Sequence, residues 1–411
     1  MAGLAQSQAD TDKPVGAGGL RVSGFGSLGV SHVEAPAGWG YRRELTQGGS
    51  DASWRSDIDT RLGVQLNYSL GSQFELVAQA IAKKRGAHAA DGDALEWAYA
   101  SYRPDADWTL RAGRVNLDVF LMADYRNVGY GFLTARPPVE FYAMLPTVLD
   151  GADVARSWQL GDAQWRAKLM LGSARIGDIN STKASRVRSV IGAMLSREEG
   201  GLLLRASYAR TRVDIDRSNI QPVLDGLAQL GGLPIPVVAG QAQMLRQRLG
   251  ADGGTGTFWE VGVRHELADW QWSAEFVRIS ADPLTMLTSA YATLGRRIGD
   301  WTPYVGYGQV RDLQGVLATP AWEATLAPVI GPAGAAQAQM LGSAVTASLN
   351  GSRFQQSNWS LGARWDFHPQ AALKLQWDRV RVSNNGSGLW TGGSGAPSHA
   401  DIATAVVDFI F

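Results

Sequence analysis

Alternation is the dominant signal in this chain. From 57 to 70, Ile58, Thr60, Leu62, Val64, Leu66, Tyr68 and Leu70 alternate with Asp57, Asp59, Arg61, Gly63, Gln65, Asn67 and Ser69. Successive side chains of an extended backbone point to opposite sides, so this predicts a strand with one oily and one wet face. The same period runs from Leu20 to Val30, with Arg21, Ser23, Ser27 and Ser31 on the wet parity. It returns at Asp401 to Phe411, where Ala403, Ala405, Val407, Phe409 and Phe411 share one side and Thr404, Val406 and Asp408 the other. Continued along the chain, the pattern predicts sixteen strands, near 20–33, 57–70, 73–85, 94–103, 108–115, 152–160, 163–174, 186–196, 201–213, 257–267, 270–280, 287–297, 301–311, 354–367, 371–382 and 401–411.

The connections between these strands alternate short with long. Seven are tight, among them Gly71-Ser72, Gly161-Asp162 and Ala268-Asp269, while 34–56, 116–151, 214–256 and 312–353 each exceed twenty residues. An even strand number with short turns at one rim and long loops at the other predicts an antiparallel transmembrane barrel. The Ala-, Leu- and Gln-rich loops at 214–256 and 312–353 are expected to hold short helices. Aromatic residues cluster beside the tight turns: Tyr102 and Trp108, Trp158 and Trp165, Trp270 and Trp272, Trp301, and Trp365 with Phe367. That placement predicts an interfacial girdle.

Composition removes other classes. The 411 residues include no Cys, so disulfides, thiol nucleophiles and Cys-bound zinc drop out. Formal net charge is +0, which gives nucleic acid no basic field. No run of about 18 apolar residues exists, which excludes a spanning helix but not spanning strands, whose hydropathy averages out. Residues 1–19 lack a basic segment followed by an apolar core and are read as a flexible tail; export by a signal peptide absent from this sequence is expected. The rest, 20–411, is expected to be one barrel.

Candidate chemistry is sparse. Gly24, Gly26 and Gly29 spell G-x-G-x-x-G, but inside a strand with no helix after it, so no dinucleotide and no other cofactor is implied. Gly24 and Gly26, with Ala78, Ala80, Ala82, Ala403 and Ala405, are expected instead to form a flat outward patch for close packing. His32, His88, His265, His368 and His399 pair with no nucleophile, and no catalytic residue is expected. Asp91-Gly92-Asp93 and Asp150 to Asp153 are short acidic turns that could touch calcium, though no metal site is assigned.

A final strand of alternating apolar residues ending on Phe resembles the last strand of Gram-negative outer-membrane barrels. The long aromatic connection between the fifth and sixth strands, with Phe120, Tyr125, Tyr130, Phe132, Phe141, Tyr142 and Pro137-Pro138, resembles the third loop of trimeric sixteen-stranded porins. The resemblance implies that this loop folds inward and narrows an aqueous channel. It implies Asp118, Asp124, Arg126, Arg136 and Glu140 on the loop side of a constriction. Opposite them, inward parity places Arg21, Arg61, Lys83, Arg111, Arg364 and Lys374 on the wall. Carboxylates facing guanidinium groups would set a transverse field that sorts solutes by charge. The implied protein is a passive outer-membrane channel for small hydrophilic solutes and ions, leaning towards anionic or zwitterionic ones. It would be a homotrimer in contact with outer-membrane lipid and lipopolysaccharide. An external loop whose charges meet solvent, and a partner-binding barrel with a closed lumen, stay open as alternatives.

Overall fold

A computed structural model describes residues 19–85, 94–144, 146–176, 185–214, 218–251, 253–281, 285–393 and 395–411. The tail at 1–18, His88 and Asp91 to Asp93 lie outside the described residues. Sixteen antiparallel strands form the wall. They are β1 (Leu20–Glu34), β2 (Arg61–Ser69), β3 (Phe74–Lys83), β4 (Leu95–Tyr102), β5 (Trp108–Asn116), β6 (Val148–Leu160), β7 (Ala163–Ile176) and β8 (Ser185–Glu199). The second half comprises β9 (Leu202–Asp214), β10 (Gly253–Leu267), β11 (Trp270–Ala281), β12 (Thr285–Arg296), β13 (Trp301–Asp312), β14 (Phe354–His368), β15 (Ala371–Ser387) and β16 (Ser398–Ile410). Each pairs with the next, and β1 pairs with β16, so the sheet closes and no edge is left unpaired. A further two-residue strand, Trp54–Arg55, adds to the upper end of β1.

The alternation sorts inside from outside as the pattern requires. On β2, Leu62, Val64, Leu66 and Tyr68 are exposed to the exterior while Arg61, Gly63, Asn67 and Ser69 are buried within. The period breaks at its upper end, however, and the reason is local. Residues 56–59 form a turn rather than strand, and Ile58, 3% exposed, packs inside against the upper loops. Asp59 is held there by Arg136 and Arg43.

Closure depends on a cross-strand fit between glycine and phenylalanine. Phe411 and Gly24 exchange backbone hydrogen bonds at 2.9 Å each way, and a Cβ at Gly24 would collide with the Phe411 ring. A Cβ at Gly26 would likewise meet the Phe409 ring. The expected flat patch at these two glycines is therefore corrected: aromatic rings of the closing strand fill the space that glycine leaves, and both glycines are buried.

At the tight turns the aromatic residues face outward in pairs. Trp301 and Trp365 stack with centroids 5.4 Å apart, Trp158 and Trp165 at 6.3 Å, and Arg156 and Arg296 lie over the rings of Trp108 and Trp270. Ala268 sits at φ 47 and Gly161 at φ 63, the left-handed geometry that two-residue hairpins demand.

At the opposite end the long loops carry helices: α1 (Val139–Tyr142), α2 (Gln221–Gly231), α3 (Pro236–Leu249) and α4 (Glu323–Gly351), the last broken at Gly331. Leu224, Leu227 and Leu230 recur on one face of α2 and are buried. Leu227 and Leu230, with Val238, Ala242, Leu245, Trp322, Leu326 and Val345, form a separate apolar core, so α2, α3 and α4 pack as a cap with its own interior.

Candidate constriction site

The connection between β5 and β6, residues 117–147, enters the barrel. Phe120 and Phe141 are fully buried, and with Leu117, Val119, Met122 and Tyr142 they share one cluster with side chains of the eight strands β5 to β12, among them Leu149, Met170, Val190, Phe258, Val277 and Tyr291. Two aromatic contacts, Phe141 on Tyr291 at 5.3 Å and Phe120 on Tyr142 at 5.3 Å, are edge-on. The other side of the loop, at Val139 and Ala143, joins a second core with Val33, Trp39, Tyr41, Val310, Val380 and Trp390. The segment thus spans the lumen and is gripped by both walls.

Ion pairs and hydrogen bonds fix it there. Asp118 bonds Lys168 on β7 and lies 2.6 Å from the Arg205 guanidinium on β9. Arg136 reaches Asp59 at 2.6 Å and Asp378 on β15 at 3.0 Å, with Ser31 and Thr404 also within reach. Glu140 Oε1 accepts from Gln356 Nε2 at 2.7 Å. Its Oε2 is buried without a partner, and burial pushes this carboxyl up to about 7. Lys374 Nζ donates to the carbonyls of Gly129 (2.6 Å) and Thr134 (3.0 Å) and pairs with Asp408 (3.0 Å). Arg364 donates to the carbonyls of Tyr130 and Phe132.

Of the loop-side residues read from sequence, Asp118, Arg136 and Glu140 are 1–3% exposed and serve as anchors, while Asp124 is exposed. Arg126 is buried, with Glu44 from the first loop at 3.8 Å. Glu44 also takes Lys83 at 2.8 Å, so it bridges the loop cation to a wall cation. On the wall, Arg111 donates to Asn116 at 2.8 Å, Asn116 donates to Asp124, and Asp153, directly across on β6, holds Arg111 at 2.5 Å. Arg21 lies 3.9 Å from Glu75, and Arg61 donates to Ser27 at 3.2 Å while its two terminal nitrogens are buried without a partner. Arg364 and Lys374 grip the loop and do not face it across water. The expected field of loop carboxylates facing wall cations is broken up, because most of the charges are spent on attachment. Asp150 and Asp153 point to opposite faces of β6, each on an arginine, Arg114 or Arg111.

Lys168, Arg205, Asp378 and Gln356 are missing from the sequence-based set. All four stand on inward parity, a signal available in the alternation. What alternation does not contain is which inward residue meets the loop.

Polar residues continue along the lower inner wall, where Gln164, Arg166 and Glu198 are exposed and Arg264, 29% exposed, reaches the Tyr125 hydroxyl at 3.2 Å. No protein-family model matches this chain, and no curated protein matches it by sequence. Solved structures do match in shape. OmpT of Vibrio cholerae, an outer-membrane protein, is similar over 97% of this chain and 99% of its own at 10% identity, TM-score 0.51. The outer membrane channel DcaP of Acinetobacter baumannii matches over 96% and 98% at 12% identity, TM-score 0.51. An anion-selective porin from Comamonas acidovorans matches over 96% and 100% at 10% identity, TM-score 0.51.

Proposed function

From the premise that this chain has the sixteen-stranded outer-membrane porin-type fold, we propose that it is a passive diffusion channel for small hydrophilic solutes. The observation that carries the reading is the loop at 117–147, which is anchored to both sides of a polar inner wall and leaves Asp124 exposed beside Arg111. A loop held this way fixes a minimum cross-section. Selection is by size and charge, and no chemistry is performed. A lean towards anionic or zwitterionic solutes is part of the proposal, and the cations it draws on are Arg166, exposed on the lower inner wall, and Arg61, Arg43 and Lys83 beside the carboxylates Glu44, Asp59 and Asp408. The anion-selective porin among the structural neighbours agrees with that lean.

A homotrimer is part of the proposal. Outward positions on β3 and β16 are small, Ala80, Ala82 and Ala403 among them, and a groove of about 490 Å³ opens between Val30, Trp54, Trp377 and Ala405. Small side chains let neighbouring backbones approach closely. Outer-membrane glycolipid would then cover the remaining perimeter.

Reconstitution in a planar bilayer tests the reading. Steady conductance steps are expected, and reversal potentials across a salt gradient should move for Arg61→Ala and Asp124→Ala. Unmoved selectivity in both removes these residues from the constriction. A second reading, a partner-binding barrel with a closed lumen, draws on the cap, which exposes Val237, Met244 and Met340. Electrical silence would favour it.

A further inference from the structure

Two buried acceptor oxygens beside the docked loop have no donor among the described residues. They are Oε2 of Glu140 on α1 and Oδ1 of Asn358 on β14. Glu140 is 1% exposed, and its other oxygen is taken by Gln356. Which end of Asn358 is the oxygen follows from its neighbours: Nδ2 donates to the Asp378 carboxylate at 3.0 Å and to the Ser360 hydroxyl at 3.1 Å, so Oδ1 is the end turned away from them. Buried acceptors without a donor are rare in folded proteins and call for an occupant.

Glu140 and Asn358 line one cavity of about 20 Å³, between the loop and β12 to β15. Glycine makes the room. Two successive inward positions of β13 are Gly306 and Gly308, directly across from Ser360 and Asn358. A Cβ at Gly308 would stand 2.9 Å from Glu140 Oε2, so that oxygen leans over bare backbone. A volume of this size takes one water-sized occupant.

Charge decides which occupant. Three carboxylates, Glu140, Asp378 and Asp59, are each 1–2% exposed, and the guanidinium groups among them are two, Arg136 and Arg43. One negative charge is left over, and a buried charge without a counter-ion is costly. No three of His, Asp and Glu converge as a metal-binding group among the described residues, whereas a divalent ion of the calcium kind gathers several carboxylates. A single free carboxylate oxygen among neutral oxygens suits a hard ion of single charge.

We propose that this cavity binds one monovalent alkali cation, with Glu140 Oε2 and Asn358 Oδ1 as its fixed ligands and the hydroxyl oxygens of Thr134, Ser360 and Tyr41, which also line the cavity, completing its shell. Loop and wall supply one fixed ligand each, so the site exists only while 117–147 is docked. In alkali-free medium burial holds a proton on Glu140 up to about 7, and the ion takes the place of that proton above it. The site stands whether or not the lumen conducts.

The test follows loop opening at pH 8 in purified full-length protein in detergent, by the rate at which chymotrypsin cuts within 117–147, with the cuts located by mass spectrometry. Sodium, potassium and choline chlorides are compared at equal ionic strength, choline being too large for the cavity. An ion that binds only the docked loop lowers the open fraction about ten-fold at ten times its Kd, so sodium or potassium is expected to slow cutting by at least that factor relative to choline. Calorimetric titration with the same salt should give one site per chain. Glu140→Gln, which removes the charge, and Gly306→Ala, which fills the room, should both be indifferent to the alkali ion. The methyl added at Gly306 meets Ser360 Cβ and Thr293 Cγ2 at 3.5 Å, an ordinary contact that the wall is expected to accept, and Glu140→Gln carries the test alone if it does not. Equal rates in the three salts overturn the proposal, since the cavity then holds water. Alkali protection that persists in either variant overturns it, because the ion then sits elsewhere. So does calcium chloride that protects at lower concentration than sodium chloride. A wild type that is silent in a planar bilayer yet protected by sodium sinks the channel and leaves the cation site standing.

Discussion

Arg136 is the anchor whose loss should be easiest to read. Replacing it with Met removes the guanidinium from between Asp59 and Asp378, whose side chains are 0% and 3% exposed. Stripping one partner from a buried pair costs about 3–5 kcal/mol. Neither carboxylate is left bare. Arg43 stays 3.4 Å from Asp59, and Gln376, Asn358 and Ser360 still donate to Asp378 at 2.5–3.0 Å. The lower figure is therefore expected, about 3 kcal/mol, or about a hundred-fold rise in the released fraction of the loop. Release would expose Phe141 and Tyr142, so chymotrypsin should cut Arg136→Met within this loop far faster than wild type, where the rate tracks the open population. Single-channel traces should gain flicker towards a larger conductance. Adding Asp59→Asn and Asp378→Asn to Arg136→Met removes the stranded charges and should restore much of the protection. If Arg136→Met matches wild type in both cleavage and noise, the ion pairs do not hold the loop.

Glu140 gives a pH test. Its carboxyl titrates near 7 when buried and near 4.5 otherwise. The docked loop thus binds the extra proton between these values, and docking weakens as pH rises through that window, by about 3 kcal/mol in full. Cleavage and flicker should increase between about pH 5 and 8 in wild type and stay flat in Glu140→Gln. At the seam, Gly26→Val should collide with the Phe409 ring and lower the yield of heat-resistant folded barrel on electrophoresis, whereas Ala206→Val on the open outer face of β9 should not. In the cap, Leu227→Ala should cost about 2–5 kcal/mol and raise hydrogen exchange in α2, α3 and α4 without changing conductance.

Alternation made the wall legible because each strand reports its own two environments. Every one of the sixteen strands lies where the period of two places it, and the tight turns follow. Where other forces govern, the period misleads: Ile58 keeps outward parity with Leu62 yet is pulled inside by a turn built around Asp59. The long aromatic loop announced that it needed a surface, and inward folding followed from the resemblance. Its footing did not. Lys168 and Arg205 are far from Asp118 in sequence, and parity says only that they face the lumen, not which charge crosses it. The helices of the cap were visible as composition, but their mutual packing through Trp322 and Leu227 was not.

The glycine and phenylalanine pairing at the seam has a bearing on biogenesis. The two partners stand at opposite ends of the wall, so β1 cannot satisfy its outer hydrogen bonds until β16 has been made and delivered. Until then the sheet presents two raw borders, which hydrocarbon will not tolerate. Insertion and closure are accordingly expected as one late event, since a chain without its final strand has no closed sheet to offer the membrane.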